Sequence, residues 1–160
     1  MQICEENMIT LNEDNLGLAV SRLCDQDSNL ARVVQNIGSP PLWKRDPGFA
    51  TLVHIILEQQ VSLASAKACF DKLSAHLTEL TPTEFLALSD AELLKIGFSR
   101  QKTRYCRILA QAIVDESLDL ESLNHLNDAE VFSRLTALTG IGPWTAKIYL
   151  LMALSRPDIW

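Results

Sequence analysis

The chain has 160 residues, of which 48% are hydrophobic and 21% charged, with a net charge of −6, enough for one domain that buries most of its apolar surface without metals or disulfides. No apolar run approaches the roughly 20 residues that span a bilayer, and the N-terminus carries acids where a signal peptide needs lysine or arginine, so we expect a cytosolic (cytoplasmic) protein with no membrane partner. The negative charge does not by itself exclude nucleic acid, because Glu5, Glu6, Glu13, Asp14, Asp25 and Asp27 stand against Arg22 alone in residues 1–30, leaving the rest nearly neutral.

Taken in order, almost every periodic segment predicts a helix. Leu16, Val20 and Leu23 share one face; Leu30, Val33, Val34 and Ile37 share another, and Gly38 stops that helix. After the break at Ser39-Pro40-Pro41, a helix opens near Pro47 and runs through Phe49, Leu52, Ile55, Ile56 and Leu57 to Gln59 or Gln60. Ser62 caps the next, with Leu63, Ala66, Phe70 and Leu73 inside. Thr81-Pro82-Thr83-Glu84 and Ser89-Asp90-Ala91-Glu92 are both helix starts, with a hydroxyl at the cap and an acid early in the turn. Nothing alternates with period two for long enough to demand a sheet. The expected fold class is all-α, with about eight to ten helices, several of them short.

Cys4, Cys24, Cys69 and Cys106 are too scattered for a C-x-x-C knuckle and are expected as reduced, partly buried thiols. His54, His76 and His125 show no ligand spacing, and His54, inside an apolar run, is expected as a satisfied core histidine.

Two segments turn a helix on glycine. In the first, Asp90–Ile96 ends at Gly97, and Ser99 caps a helix through Ile113; residues 95–107 carry Lys95, Arg100, Lys102, Arg104 and Arg107 with no acid. That cluster is a candidate phosphate-facing surface, the alternative being a solvated helix face. In the second, Asp128–Leu138 leads into Thr139-Gly140-Ile141-Gly142, and Pro143 opens a helix to Leu154. Glycines flanking one apolar residue allow positive φ and close approach of another backbone, while Ile141 drops between the helices. Amides at such a turn form a site for one phosphate; with Pro143 lacking an N–H, the donors are Gly140, Gly142, Trp144 and Thr145. The alternative is a plain helix corner whose glycines serve packing.

The stretch LTGIGPWTAKIYLLMAL, residues 138–154, resembles the helix-hairpin-helix of the DNA glycosylase superfamily. ILEQQVSLASAKACF (56–70) resembles the helix-turn-helix these enzymes carry before the hairpin, and KIGFSRQKTRYCRILAQAI (95–113) resembles their glycine turn and basic helix. With the PPLWKRDPGF lead-in, the resemblance covers roughly residues 40–160. It implies the glycosylase fold, an orthogonal helical bundle, as a core at residues 41–160 behind an acidic helical segment at 1–40.

The resemblance also implies a chemistry. Bifunctional members place at the position of Trp144 a lysine that forms a Schiff base. Tryptophan instead resembles the 3-methyladenine glycosylase II branch, where an aromatic wall stacks on a flipped, electron-poor alkylated base. The expected function is therefore base-excision repair by a monofunctional glycosylase acting on alkylated bases in double-stranded DNA, as a monomer. Trp144 and Ile148 would line the base pocket, Ile148 standing where some relatives present a tyrosine; the other reading of Trp144 is a core aromatic. Gln60 falls at the intercalating position that fills the hole left by the extruded nucleotide, with Gln59 able to share the task; the other reading is a polar helix end. Lys147, Lys102 and Arg104 would face phosphates. Backbone carbonyls of Thr136, Leu138 and Ile141 would hold a monovalent cation; no cofactor is expected for chemistry, and no iron–sulfur cluster from these cysteines.

The family's catalytic aspartate is expected just beyond Trp160, so no catalytic residue is assigned within the chain, and Asp158 precedes that position. The C-terminal helices of the family are likewise expected to lie beyond it, which suggests part of a longer enzyme, inactive as residues 1–160. The alternatives are a non-enzymatic double-stranded DNA-binding module and a helical protein-interaction domain.

Overall fold

The computed structural model describes residues 10–159; Cys4, Glu5, Glu6 and Trp160 lie outside the described residues. Nine α-helices and one short 3₁₀ helix follow one another in that span: α1 (Glu13–Gln26), α2 (Ser28–Ile37), α3 (Phe49–Glu58), α4 (Leu63–His76), α5 (Pro82–Ala87), α6 (Asp90–Ile96), α7 (Arg100–Val114), the 3₁₀ turn Ser122–His125, α8 (Asp128–Thr136) and α9 (Pro143–Met152). Side-chain caps set where most begin. Asn12, Asp27, Ser62, Thr81, Ser89, Ser99 and Asn127 each accept from a backbone N–H of the first turn, satisfying donors that have no partner inside the helix. Only α3 and α9 open on glycine, Gly48 and Gly142.

Those two helices occupy the centre. Leu52, Val53, Ile55, Ile56 and Leu57 of α3 are all buried, which accounts for its apolar run on both sides of His54. It packs against α4, α7 and α9, and Leu73, Leu93, Leu109, Leu135 and Tyr149 complete the core from the surrounding helices. The boundaries differ slightly from the periodic pattern: α3 starts at Phe49, because Gly48 at φ +135° interrupts the chain after Pro47, and α8 ends at Thr136 rather than Leu138. Helices α1 and α2 pack on each other, and neither has a buried residue.

Residues 42–48 form a strap across the ends of α3 and α9. The Arg45 guanidinium donates to both Glu58 oxygens, at 2.7 and 3.1 Å, while the Arg45 N–H donates to Met152 O at 2.9 Å. The Gly48 N–H donates to the Tyr149 hydroxyl at 3.0 Å, and burial pushes the acidity of that hydroxyl down, raising its pKa. His54 stacks on Phe70 with centroids 4.4 Å apart and lies 3.7 Å from Glu58; it is half-buried at the edge of the core rather than inside it, and that burial lowers its pKa. Cys24, Cys69 and Cys106 are free thiols, the last fully buried.

Candidate nucleic-acid interface

The α8–α9 turn has the form its glycines suggest. Gly140 takes φ +103° and Gly142 an extended φ of −89°; Ile141 between them is buried, with its N–H on Leu138 O at 3.1 Å. The two glycines differ in their surroundings. A Cβ on Gly142 would meet nothing within 4 Å, so the backbone there is open to an approaching group. A Cβ on Gly140 would collide with the Tyr105 ring. Pro143 opens α9, and the first-turn amides of Trp144 and Thr145 carry the positive end of the helix dipole beside Gly142.

The α3–α4 turn separates the two glutamines. Gln60 is exposed and held at φ +56°, a conformation that costs a non-glycine residue roughly 1–2 kcal/mol. Gln59 is half-buried, and its side-chain nitrogen donates to Gly140 O at 2.9 Å and Thr145 Oγ1 at 3.0 Å. The side chain of Gln59 is therefore bonded to the hairpin, leaving Gln60 as the one of the pair that faces solvent.

On α7 the basic residues divide in the same way. Lys102 Nζ donates to Leu57 O at 2.5 Å, and partial burial lowers its pKa. Arg107 bonds to Leu86 O, Leu88 O and Asp90, so its guanidinium braces the α5–α6 corner. Arg104 is exposed. Tyr105 went unnoticed in the sequence; its ring covers Gly140, and Gln101 Nε2 donates to its hydroxyl at 2.6 Å. The available signal was its place three residues beyond Lys102 on a helix that must meet the hairpin.

A cleft of about 960 Å³ brings these parts together: Gln59, Gln60, Lys102, Tyr105, the Gly140–Gly142 turn and Trp144 all line it. Trp144 is 53% exposed, so it is not a core aromatic. Thr136, Leu138 and Ile141 lie on the same wall. Ile148 does not join them; it packs against the apolar core, and Lys147 and Arg104 also lie off the cleft lining. Glu58 lines the cleft, but both its oxygens are bonded to Arg45. Asp158 is exposed at φ +57° and is not part of the lining.

The helical bundle thus gathers a glycine hairpin, an exposed-glutamine turn and Lys102 of α7 around one cleft. Residues 53–156 match the HhH-GPD superfamily of base excision DNA repair proteins, and the chain belongs to that superfamily. It is 27% identical over 172 residues to the DNA-3-methyladenine glycosylase of Saccharomyces cerevisiae, covering 97% of this chain and 58% of the yeast protein. Among solved structures, the Schizosaccharomyces pombe 3-methyladenine DNA glycosylase in complex with abasic DNA superposes with a TM-score of 0.82 at 25% identity, over 89% of this chain and 73% of that one. The DNA-3-methyladenine glycosidase of Bacillus halodurans gives a TM-score of 0.73 at 29% identity, over 88% and 66%. The chain thus spans less than two thirds of the yeast protein it matches.

Proposed function

We propose that this protein is a monofunctional DNA glycosylase that hydrolyses the N-glycosidic bond of alkylated bases flipped out of duplex DNA. The observation that carries the reading is the exposed Trp144 on the rim of a cleft shared with Gln60 and the Gly140–Gly142 turn. The hairpin amides of Gly140, Gly142, Trp144 and Thr145 bind one phosphate, with Arg104 adding charge; such contacts position the duplex without reading its sequence. Gln60 enters the stack as the nucleotide leaves, offsetting part of the unstacking cost of a few kcal/mol. The Trp144 ring takes the extruded base, and its π face favours the electron-poor, often cationic, alkylated purines. The similarity to glycosylases named for 3-methyladenine supports the same substrate class.

As the glycosidic bond breaks, positive charge builds on the sugar, and a carboxylate held close in a water-poor site lowers that barrier. None of the acids in residues 10–159 receives this role. Glu58 is committed to Arg45, and Asp158 is exposed and off the cleft lining. A monovalent cation on the carbonyls of Thr136, Leu138 and Ile141 would brace the turn against a phosphate; all three residues line the cleft, and Leu138 O also accepts the Ile141 N–H.

Incubation of the protein with duplex DNA containing 3-methyladenine or 7-methylguanine tests the reading by release of free base. Trp144→Ala is expected to cut release while leaving the melting temperature unchanged, because the side chain is exposed. Borohydride is expected to trap no protein–DNA adduct. Salt-dependent duplex binding without base release would instead support a non-enzymatic DNA-binding module.

A further inference from the structure

We infer that Gln59 is a positioning residue that couples the hairpin to the turn carrying Gln60, so that seating a phosphate on the one and inserting the plug from the other are linked through a single side chain. The inference rests on the glycosylase reading above.

A glutamine amide has two hydrogens, and the Gln59 nitrogen lies 2.9 Å from Gly140 O and 3.0 Å from Thr145 Oγ1. Both donors are used inside the protein, so none remains for a base or a phosphate. The two acceptors stand on either side of the hairpin turn, one on Gly140 and the other in the first turn of α9. The peptide joining Gly140 to Ile141 is consequently held at both ends, since the Ile141 N–H donates to Leu138 O at 3.1 Å. The plane of that peptide sets the course of the backbone into Gly142 and Trp144, whose amides we assign to the phosphate.

On its other side, Gln59 directly precedes Gln60, whose φ of +56° lies where non-glycine residues persist only if their surroundings impose it. The last turn of α3 has few means to impose it alone. Lys102 holds it from α7 through Leu57 O, at 2.5 Å, and Gln59 holds it from the hairpin. A shift of the hairpin toward a phosphate therefore pulls on the Gly140 carbonyl, then on Gln59, then on the backbone that presents Gln60. Two sites linked in this way share a coupling that each ligand feels equally.

The competing role is a second plug, in which Gln59 touches DNA beside Gln60. The two differ in a measurable way. The probe is a duplex containing one tetrahydrofuran abasic site against the same duplex undamaged, with binding by the protein followed by fluorescence anisotropy. The wild type is expected to prefer the abasic duplex. Gln59→Met, similar in size but without the amide, is expected to lower that preference about threefold to tenfold, the worth of one or two net hydrogen bonds. The Gln59→Met/Gln60→Ala double variant is expected to lose no more than Gln60→Ala alone, because Gln59 acts through Gln60. Losses that multiply in the double variant, or a Gln59→Met protein with full preference, overturn the coupling. Should Gln59→Met fail to fold, Thr145→Val removes one of the two acceptors and is expected to move the ratio in the same direction; an unchanged ratio overturns the proposal. A wild type that binds both duplexes alike defeats the glycosylase reading itself, an outcome distinct from a wild-type preference that Gln59→Met leaves intact.

Discussion

The ring of Tyr105 occupies the space that a side chain at Gly140 would need: an ideal Cβ there would lie 2.5 Å from Tyr105 Cβ and 2.6 Å from Cδ1. The two glycines of the hairpin are therefore glycine for different reasons. Gly140 has its positive φ and the aromatic of α7 pressed against it, whereas Gly142 has open space in front of it.

Gly140→Ala should cost about 2 kcal/mol or more, combining a left-handed backbone with a steric clash in a packed contact. Gly142→Ala should stay within about 0.5 kcal/mol of wild type, yet weaken duplex binding by keeping a phosphate from the backbone. Urea unfolding and anisotropy on both variants check the contrast. Equal destabilisation by the two would show that the turn is packed alike around both glycines.

Arg104 and Arg107, one turn apart on α7, should part company when each is replaced by alanine. Arg104 is exposed, so its loss should leave stability alone and reduce the slope of log K against log salt by about 0.9, one phosphate contact. Arg107 braces Leu86 O, Leu88 O and Asp90, so its loss should cost about 1–2 kcal/mol of stability with little change in that slope. Titrations at several salt concentrations distinguish them.

Removing Arg45 leaves the Glu58 carboxylate, only 6% exposed, without its cation. Because Arg45 is itself 25% exposed, the expected loss for Arg45→Met is discounted to about 2 kcal/mol. Replacing both residues with methionine should recover part of that loss, since no charge is then left buried. Thermal unfolding of the two variants tests it, and a double variant weaker than the single would contradict the account.

Burial holds the His54 pKa below its ordinary 6.5, with Glu58 and Asp71 opposing the shift and Arg45 and Lys67 assisting it. In the window between the folded value and 6.5, the unfolded chain binds the proton more readily than the folded one. Stability from this residue is therefore complete above pH 6.5 and falls as the pH drops below it. His54→Gln should flatten that part of the stability profile relative to wild type, as read by urea midpoints from pH 7.5 to 5. A profile with the same slope in both proteins would remove His54 from the explanation.

Much of the architecture is local and so could be read directly from the chain. Ser62, Thr81, Ser89 and Ser99 cap the helices their patterns promised, because a cap and its amide lie within three residues. The hairpin turn was legible for the same reason. The division of labour within the site was not. Adjacency made Gln59 a partner of Gln60, but the acceptors that claim its amide are Gly140 and Thr145, more than 80 residues away. Lys102 read as a phosphate ligand, yet one of its protons goes to the end of α3, a fact that depends on how α7 crosses that helix. Ile148 sits one turn beyond Trp144 and packs against the core instead of lining the cleft, because α9 has apolar neighbours there.

The strap that joins residues 42–48 to the end of α9 also orders events in time. Its Gly48–Tyr149 bond spans 101 residues, and α3, which it helps to seat, is apolar along nearly its whole length. During synthesis α3 leaves the ribosome long before α9 exists, and at typical elongation rates the gap is on the order of ten seconds. For that interval the future centre of the bundle lacks one of the helices that will cover it, its surface open to solvent and to any chaperone that binds apolar segments. Substitutions that loosen the strap should therefore show first as a lower yield of soluble protein, at growth temperatures where the finished fold is still well below its melting point.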